Sequence, residues 1–385
     1  MKKKHARKQS VVLTPRKTLR VGLIVAGVVI GALVLQSLAL WLPALWAYPF
    51  AANATVWPVL QIGMVICLGL IAFVLRWMGY RKTAIVFAVI AVVSVVPTVQ
   101  MIRDLREYAH KQGVDVSLLA QSQLFRVSYA PKSTSTYAHV GQHDLKLSVY
   151  PAASARGTVV YVHGGSWWAG SRTENGDFFR RLNARGYSVY SIDYRLARDD
   201  YATWQDAPSD VACALNWVAG ERQGPLTLIG DSAGAQLALR AAYGLVDGTV
   251  TSSCGGNVTL PDKVIAIVPP VDFYELYTDP KRSESSHQNI ARYLGGTPGQ
   301  VPEAYRDASI SSHVQPGLMP TLIINAERDN LVSPASGEQL AKLLRAKGND
   351  VEQYTIPYTN HSYWINPGGY QSQTARELMW RFMAR

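Results

Sequence analysis

The sequence predicts an α/β fold, a doubly wound and mostly parallel sheet, preceded by three transmembrane helices. Three observations predict it. The first hundred residues contain three charge-free apolar runs, the remainder alternates short β-branched runs with plausible helices, and every chemically suggestive residue lies just after one of those β-branched runs. The chain has 385 residues, 48% of them hydrophobic, which allows a large core and an appendage.

Charge separates the two parts. Residues 1–111 hold 14 Lys/Arg against only Asp104 and Glu107, whereas residues 112–385 hold 24 Lys/Arg against 25 acidic residues. The net charge of +11 therefore belongs to the N-terminal part. A basic chain raises the question of nucleic acid, but a main domain near neutrality does not present the required surface, so nucleic acid is not an expected partner.

No Asp, Glu, Lys or Arg lies between Arg20 and Arg76. The stretch "WLPALWAYPFAANAT" has the composition of an interfacial turn and divides that interval into runs at 21–42 and 56–75. A third run covers 83–102; its Pro97 would break a soluble helix but is tolerated in a membrane span. Each run has the length needed to cross a hydrocarbon core of about 30 Å. The first is too long for a signal-peptide core and ends without a small-residue cleavage site.

Orientation follows from the cations. Lys2, Lys3, Lys4, Arg7, Lys8, Arg16, Lys17 and Arg20 precede the first run, the first loop has none, and Arg76, Arg81 and Lys82 lie in the second loop. That alternation places the N-terminus in the cytoplasm and everything after residue 102 on the far side. The expected setting is a bacterial plasma (inner) membrane with an extracytoplasmic main domain. Cys67 lies in the second run, and Cys213 and Cys254 either form one disulfide in an oxidising compartment or remain two buried thiols.

After a polar juxtamembrane stretch at 103–135, "LKLSVYP" alternates like an edge hairpin strand. "GTVVYVHGG", "GYSVYSIDYRL", "PLTLIGDS", "KVIAIVPP", "MPTLIINAE" and "VEQYTIPY" read as strands buried on both faces. Helices are expected at 175–185, 203–220, 233–245, 335–347 and 370–384. The alternation makes 136–385 one doubly wound domain, whose ligands bind outside the carboxyl ends of its strands. Residues 272–318 interrupt the rhythm and are the expected cap over a site.

Gly230-Asp231-Ser232-Ala233-Gly234 fits G-x-S-x-G, between the strand "LTLI" and the helix "AQLALRAAY". In that setting the small residues let a serine occupy a strained turn with its oxygen exposed. A serine hydroxyl needs a base, and the elbow predicts an acid and then a histidine downstream. Asp329 follows "PTLIINAE", and His361 follows "VEQYTIPY" as the only histidine after the last strand. Glu327 is the rival acid, whereas His287 and His313 precede the acid and fit poorly. His163-Gly164-Gly165-Ser166 ends a strand with side-chain-poor backbone whose amides can turn toward a developing oxyanion, and the Ala233 amide is the second donor expected.

Together, "HGGSWWAGS", "SIDYRLA", "DAPSDVACALNWV", "GDSAGAQLAL", "ERD" and "NHS" resemble the α/β-hydrolase superfamily. Within it they are similar to the carboxylesterases related to hormone-sensitive lipase and to BD-FAE-type esterases. The resemblance covers about 136–385. It implies an eight-stranded sheet and hydrolysis of an ester substrate without metal or organic cofactor. It also implies a Ser232, Asp329 and His361 triad, oxyanion amides from Gly165, Ser166 and Ala233, and structural roles for Asp193, Tyr194 and Arg195. The hormone-sensitive-lipase pattern has a third glycine where this chain has Ser166, so bulky tertiary-alcohol esters are not expected substrates.

Trp167, Trp168, Tyr363 and Trp364 lie beside these motifs and either grip substrate or pack the core. The leading expectation is a membrane-anchored serine carboxylesterase acting through an acyl-enzyme on an acylated glycan or lipid of the cell envelope. An acyltransferase using the same triad with an alcohol acceptor and a non-catalytic hydrolase-fold membrane protein are the alternatives.

Overall fold

The structure, a computed structural model, describes residues 15–42, 55–123, 125–256 and 259–385. Most of the expected basic tail (1–14) and of the expected interfacial turn (43–54) lies outside the described residues. The chain divides into a unit ending at Asp104 and a unit beginning at Leu105.

In the first unit, α1 (Pro15–Leu35) continues through a 3₁₀ turn to Trp41, followed by α2 (Pro58–Trp77) and the start of α3 (Arg81–Lys111). All three are long and apolar enough to cross a membrane. The first begins earlier than residue 21, and the third runs past 102 to Lys111. The charged residues after Ile102 are acceptable helix formers, and Glu107 pairs with Lys111 one turn on at 2.8 Å. Part of the stretch expected as a linker is thus helical.

Small and polar residues face inward. A Cβ on Gly27 would overlap the Phe87 ring. Ser37 Oγ donates to the Ser94 carbonyl at 2.8 Å, and Gln61 Nε2 donates to the Val34 carbonyl at 2.9 Å. Val28, Ile66, Phe73 and Val92 face outward, with Phe73 71% exposed. The helices are thus joined by close contacts and hydrogen bonds as well as by a buried apolar cluster that includes Val34, Leu68, Leu75 and Phe87.

The second unit is built on an eight-stranded sheet in the order β1-β2-β4-β3-β5-β6-β7-β8. The strands are β1 (Ser133–Val140), β2 (His143–Tyr150), β3 (Gly157–Val162), β4 (Tyr187–Ile192), β5 (Leu226–Asp231), β6 (Lys263–Ile267), β7 (Thr321–Ala326) and β8 (Val351–Ile356). The pairs β1–β2 and β2–β4 are antiparallel and all others parallel. The edge is β1 rather than the "LKLSVYP" strand, which pairs on both sides as β2. The polar "STST" that opens β1 carries no apolar alternation, which is tolerated because an edge strand has only one neighbour.

Every residue of β3, β5 and β7 is buried. Their alternate side chains feed two faces. Val160, Leu228, Val264 and Ile323 join one continuous core with α5 (Asp206–Ala219), α6 (Ala233–Asp247) and α10 (Pro334–Ala346). On the opposite face Tyr161 of β3 meets Phe179 of α4 (Gly176–Ala184) edge-on at 5.0 Å. The last helix is α11 (Tyr370–Ala384), and α7 (Phe273–Thr278), α8 (Glu284–Leu294) and α9 (Pro302–Ala308) lie between β6 and β7.

Cys213 of α5 is bonded to Cys254 in the loop after α6, with Cα atoms 5.5 Å apart. Of the two cysteine alternatives, the structure contains the disulfide.

The residues after β4 tie strands to helices. Asp193 accepts the Arg172 amide at 3.1 Å and pairs with its guanidinium, and Tyr194 Oη donates to the His163 carbonyl at 3.0 Å. Arg195 binds Asp210 at 2.7 Å and Asp206 at 3.0 Å. Burial opposes the Arg195 charge, but these carboxylates win and raise its pKa. Asp210 is fully buried, so removing it strands a cation in a dry site. We expect Asp210→Ala to cost about 3–5 kcal/mol of stability, read by urea denaturation of the detergent-solubilised chain. A loss below about 1 kcal/mol, the level of a surface pair, would refute the assignment.

Candidate active site

The parallel register brings the carboxyl ends of the central strands together. Val162 lies opposite Gly230, Asp231 opposite Ile267, and Ala326 opposite Ile356. Ser232 follows β5, Asp329 lies three residues past β7, and His361 lies five past β8. All three side chains therefore emerge at one rim.

Ser232 has φ 53° and ψ −123°, a conformation an L-residue keeps only when its surroundings impose it. The imposition comes from backbone packed on backbone. A Cβ on Gly234 would fall on the Val162 and His163 carbonyls, and one on Gly230 would fall on the Gly234 carbonyl. One on Gly164 would lie 2.7 Å from Asp231 Oδ2. The chain can reverse this tightly only because these positions lack side chains.

Ser232 Oγ lies 2.9 Å from His361 Nε2, and His361 Nδ1 lies 2.7 Å from Asp329 Oδ2. Asp329 Oδ1 accepts the amides of Leu331 and Val332 at 2.8 Å each. A carboxylate so placed holds the imidazole proton on Nδ1 and leaves Nε2 free to accept from the serine. Burial opposes protonation of His361, but Asp329 outweighs it and raises the imidazole above 6.5. The rival Glu327 is half exposed and accepts the Tyr358 amide at 2.7 Å, away from this line. His313 bonds Asp247 at 2.7 Å, and His287 lies against Tyr277.

Gly165, Ser166 and Trp167 all have positive φ, at 121°, 52° and 65°. The side chain that anchors this loop is Trp167, which is buried. Its ring stacks on Tyr293 at 4.7 Å, and its Nε1 donates to Gln236 Oε1 at 2.9 Å. Gln236 lies on α6 one turn past Ser232, so the glycine loop and Ser232 share one support. The Ala233 amide opens α6 and has no intrahelical acceptor. Of the four flanking aromatics, Trp167 and Tyr363 are core, Trp168 is exposed against Arg292, and Trp364 meets His361 edge-on at 5.8 Å.

Two cavities flank the elbow. An open cleft of about 740 Å³ is lined by Ser166, Ser232, Leu276, Ile290, Leu331 and Val332, so α7 and α8 form one of its walls. A second lies behind, against Asp231, Tyr161, Ile267 and Tyr363, with Arg181 and Arg376 also on its wall. There Asp231 accepts from Tyr161 Oη and from the Gly164 amide at 3.1 Å. Burial raises the Asp231 carboxyl despite those donors. Sequence reasoning assigned no role to Tyr161 or Gln236; their only signals were polar groups inside apolar runs. Among the described residues no group of three or more His, Cys, Asp or Glu is arranged to hold a metal ion.

The raised His361 pKa makes two linked statements. Its protonated form gains Asp329 on folding, so that stabilisation is full below 6.5 and is lost as pH rises through the folded value. The neutral form that can accept a proton gains population over the same window. Histidine NMR of the full chain is expected to show one imidazole titrating above 6.5. In Asp329→Asn burial alone should move it below 6.5; an unmoved midpoint would refute the pairing.

Comparison with known proteins follows this geometry. The BD-FAE family profile matches residues 147–344, just over half of the chain. Versiconal hemiacetal acetate esterase of Aspergillus parasiticus is 30% identical over 167 residues, 42% of this chain and 52% of that protein. Esterase LipQ of Mycobacterium tuberculosis is 26% identical over 223 residues, 53% and 50% of the respective chains. The chain thus spans about half the length of these two curated relatives. Among solved structures, native esterase 2 of Thermogutta terrifontis aligns with TM-score 0.51 at 22% identity, covering 67% of this chain and 95% of that one. Its apo form gives 0.52 at 21%, covering 66% and 93%. Those structures share the mostly parallel sheet described above, and the profile match makes this chain a member of the BD-FAE family with an α/β-hydrolase fold.

Proposed function

We propose that the chain is a membrane-anchored serine carboxylesterase that works through an acyl-enzyme. The observation that carries this reading is the continuous line from Ser232 through His361 to Asp329, with the serine on a strained turn. The esterase names of the two relatives support it.

In the proposed reaction Ser232 Oγ attacks the ester carbonyl carbon as its proton passes to His361 Nε2. The Gly165, Ser166 and Ala233 amides take the developing oxyanion, and Asp329 stabilises the imidazolium. His361 then protonates the departing alcohol. Water, deprotonated by the same imidazole, attacks the acyl-serine and releases the acid. Asp193, Tyr194 and Arg195 support the rim without touching substrate.

The helices of 272–318 act as the cap. The lining of the cleft beside Ser232 includes Leu276, Ile290 and Leu331 together with Ser285, Ser286 and Asn289, a surface for an ester with an apolar and a polar part. An acylated glycan or lipid of the cell envelope has that character.

Anchoring rests on the three apolar helices with outward-facing apolar side chains. The cations at the N-terminus and in the second loop favour a cytoplasmic N-terminus, which puts Ser232 outside the cytoplasm. The Cys213–Cys254 disulfide supports an oxidising compartment. A bacterial inner membrane fits this arrangement.

A membrane-impermeant fluorophosphonate applied to spheroplasts expressing the chain tests both parts. Labelling of the wild type and none of Ser232→Ala is expected. Labelling only after lysis would overturn the topology, and none in either state would overturn the enzyme reading.

A further inference from the structure

One arginine that lines the cavity behind Asp231 also faces a second groove. Arg376 on α11 is partly buried and, among the described residues, makes no ion pair or hydrogen bond. Its neighbours are satisfied: Arg180 and Arg181 bind Asp177 at 3.0 and 2.8 Å, and Arg185 binds Glu377 at 2.7 Å. Burial and the nearby Arg181 charge pull the Arg376 guanidinium down to about 10, a penalty that a bound anion would relieve.

The four arginines line one groove of about 750 Å³, with only Asp115 and Glu377 as acids. Ala120 forms part of its rim, and the segment around Ala120 is strongly apolar on its outer side. Leu118, Leu119 and Phe125 are 62%, 85% and 67% exposed. The segment is tied down: Gln373 accepts the Ser117 amide at 2.7 Å and donates to its carbonyl at 3.0 Å, and the Gly368 amide donates to the Gln123 carbonyl at 3.2 Å. Apolar prongs held rigidly beside a cationic groove match a bilayer interface, apolar below and anionic above.

Chain length places such an interface within reach. The second unit begins at Leu105, three residues past the end of the third apolar run and about 5 Å of helix rise away. Ala109 and Val114 pack on Leu378 of α11, and Arg381 donates to the Gln112 and Gly113 carbonyls at the end of α3. The groove's helix is therefore attached at the end of α3, at Gln112, ten residues past Ile102.

We propose that this groove binds the phosphate headgroup of an anionic phospholipid, with Leu118, Leu119 and Phe125 seated in the same leaflet. The inference rests on the membrane anchoring proposed above and adds a lipid site to it. The test uses the full chain, with Cys67→Ser and a nitroxide at Leu119→Cys, reconstituted into phosphatidylcholine vesicles with and without phosphatidylglycerol. The nitroxide should be accessible to oxygen and shielded from a water-soluble nickel chelate.

Native mass spectrometry should show retained phosphatidylglycerol, reduced about fivefold in Arg376→Gln, the factor expected for one basic residue at an anionic surface. Arg376→Lys should retain most of it, and an unchanged thermal unfolding midpoint would confirm that both variants fold. Release of the protein by alkaline carbonate would overturn the anchoring and this proposal with it. Retention in the membrane with a water-exposed nitroxide would overturn this proposal alone. Equal retention of lipid in Arg376→Gln, or equal competition by glycerol phosphate, would overturn the assignment of the groove.

Discussion

The constraint on which the site depends is a backbone crossing. Gly234 lies against the carbonyls that end β3, Gly230 against Gly234, and Gly164 against Asp231. These contacts hold Ser232 in a conformation that no side-chain interaction would maintain by itself. They also set the distance between the glycine loop and the first turn of α6, which is where the two sets of oxyanion donors would have to converge. A methyl group at any of the three would drive the strands apart, whatever happened to the serine itself.

The rest of the site is arranged around that crossing. Trp167 and Gln236 fasten the strained loop to the helix that follows Ser232, and Tyr161 and Asp231 fill the space behind it. The segment 272–318 reaches the Asp329 loop as well. Arg282, buried and paired with Asp279 at 2.8 Å, donates to the Asp329 carbonyl at 3.3 Å. Polar groups this deep are satisfied by one another, which makes the surroundings rigid and dry, the conditions under which fixed dipoles act most strongly on a developing charge.

Much of this was legible in the residues. The central strands are continuous apolar runs because they are buried on both faces, and helices at 176–184, 206–219 and 233–247 fall where the intervening segments suggested. Ser232, Asp329 and His361 could be picked out because each follows a strand, and parallel strands bring their carboxyl ends to one rim. What could not be read follows from weaker physics. An edge strand opening with "STST" has no apolar period, so β1, which crosses the boundary expected at 135/136, went unseen. Charged residues continue a helix as readily as they end one, so α3 overran Ile102. The cysteine pairing needed a loop to meet the middle of α5, and the partners of Trp167 and Arg282 depend on contacts far apart in sequence.

The first unit and the second solve opposite problems. The first turns apolar side chains outward and hides Ser37 and Gln61, whereas the second buries its apolar runs within the sheet. The central claim, however, concerns Ser232 and is chemical. Rapid mixing of the full chain with p-nitrophenyl butyrate, acid quench and peptide mapping test it most directly. The account predicts a burst of p-nitrophenol equal to the enzyme present and a butyryl group on the peptide containing Ser232. A butyryl group on another residue, or steady turnover with no acylated peptide, would contradict it.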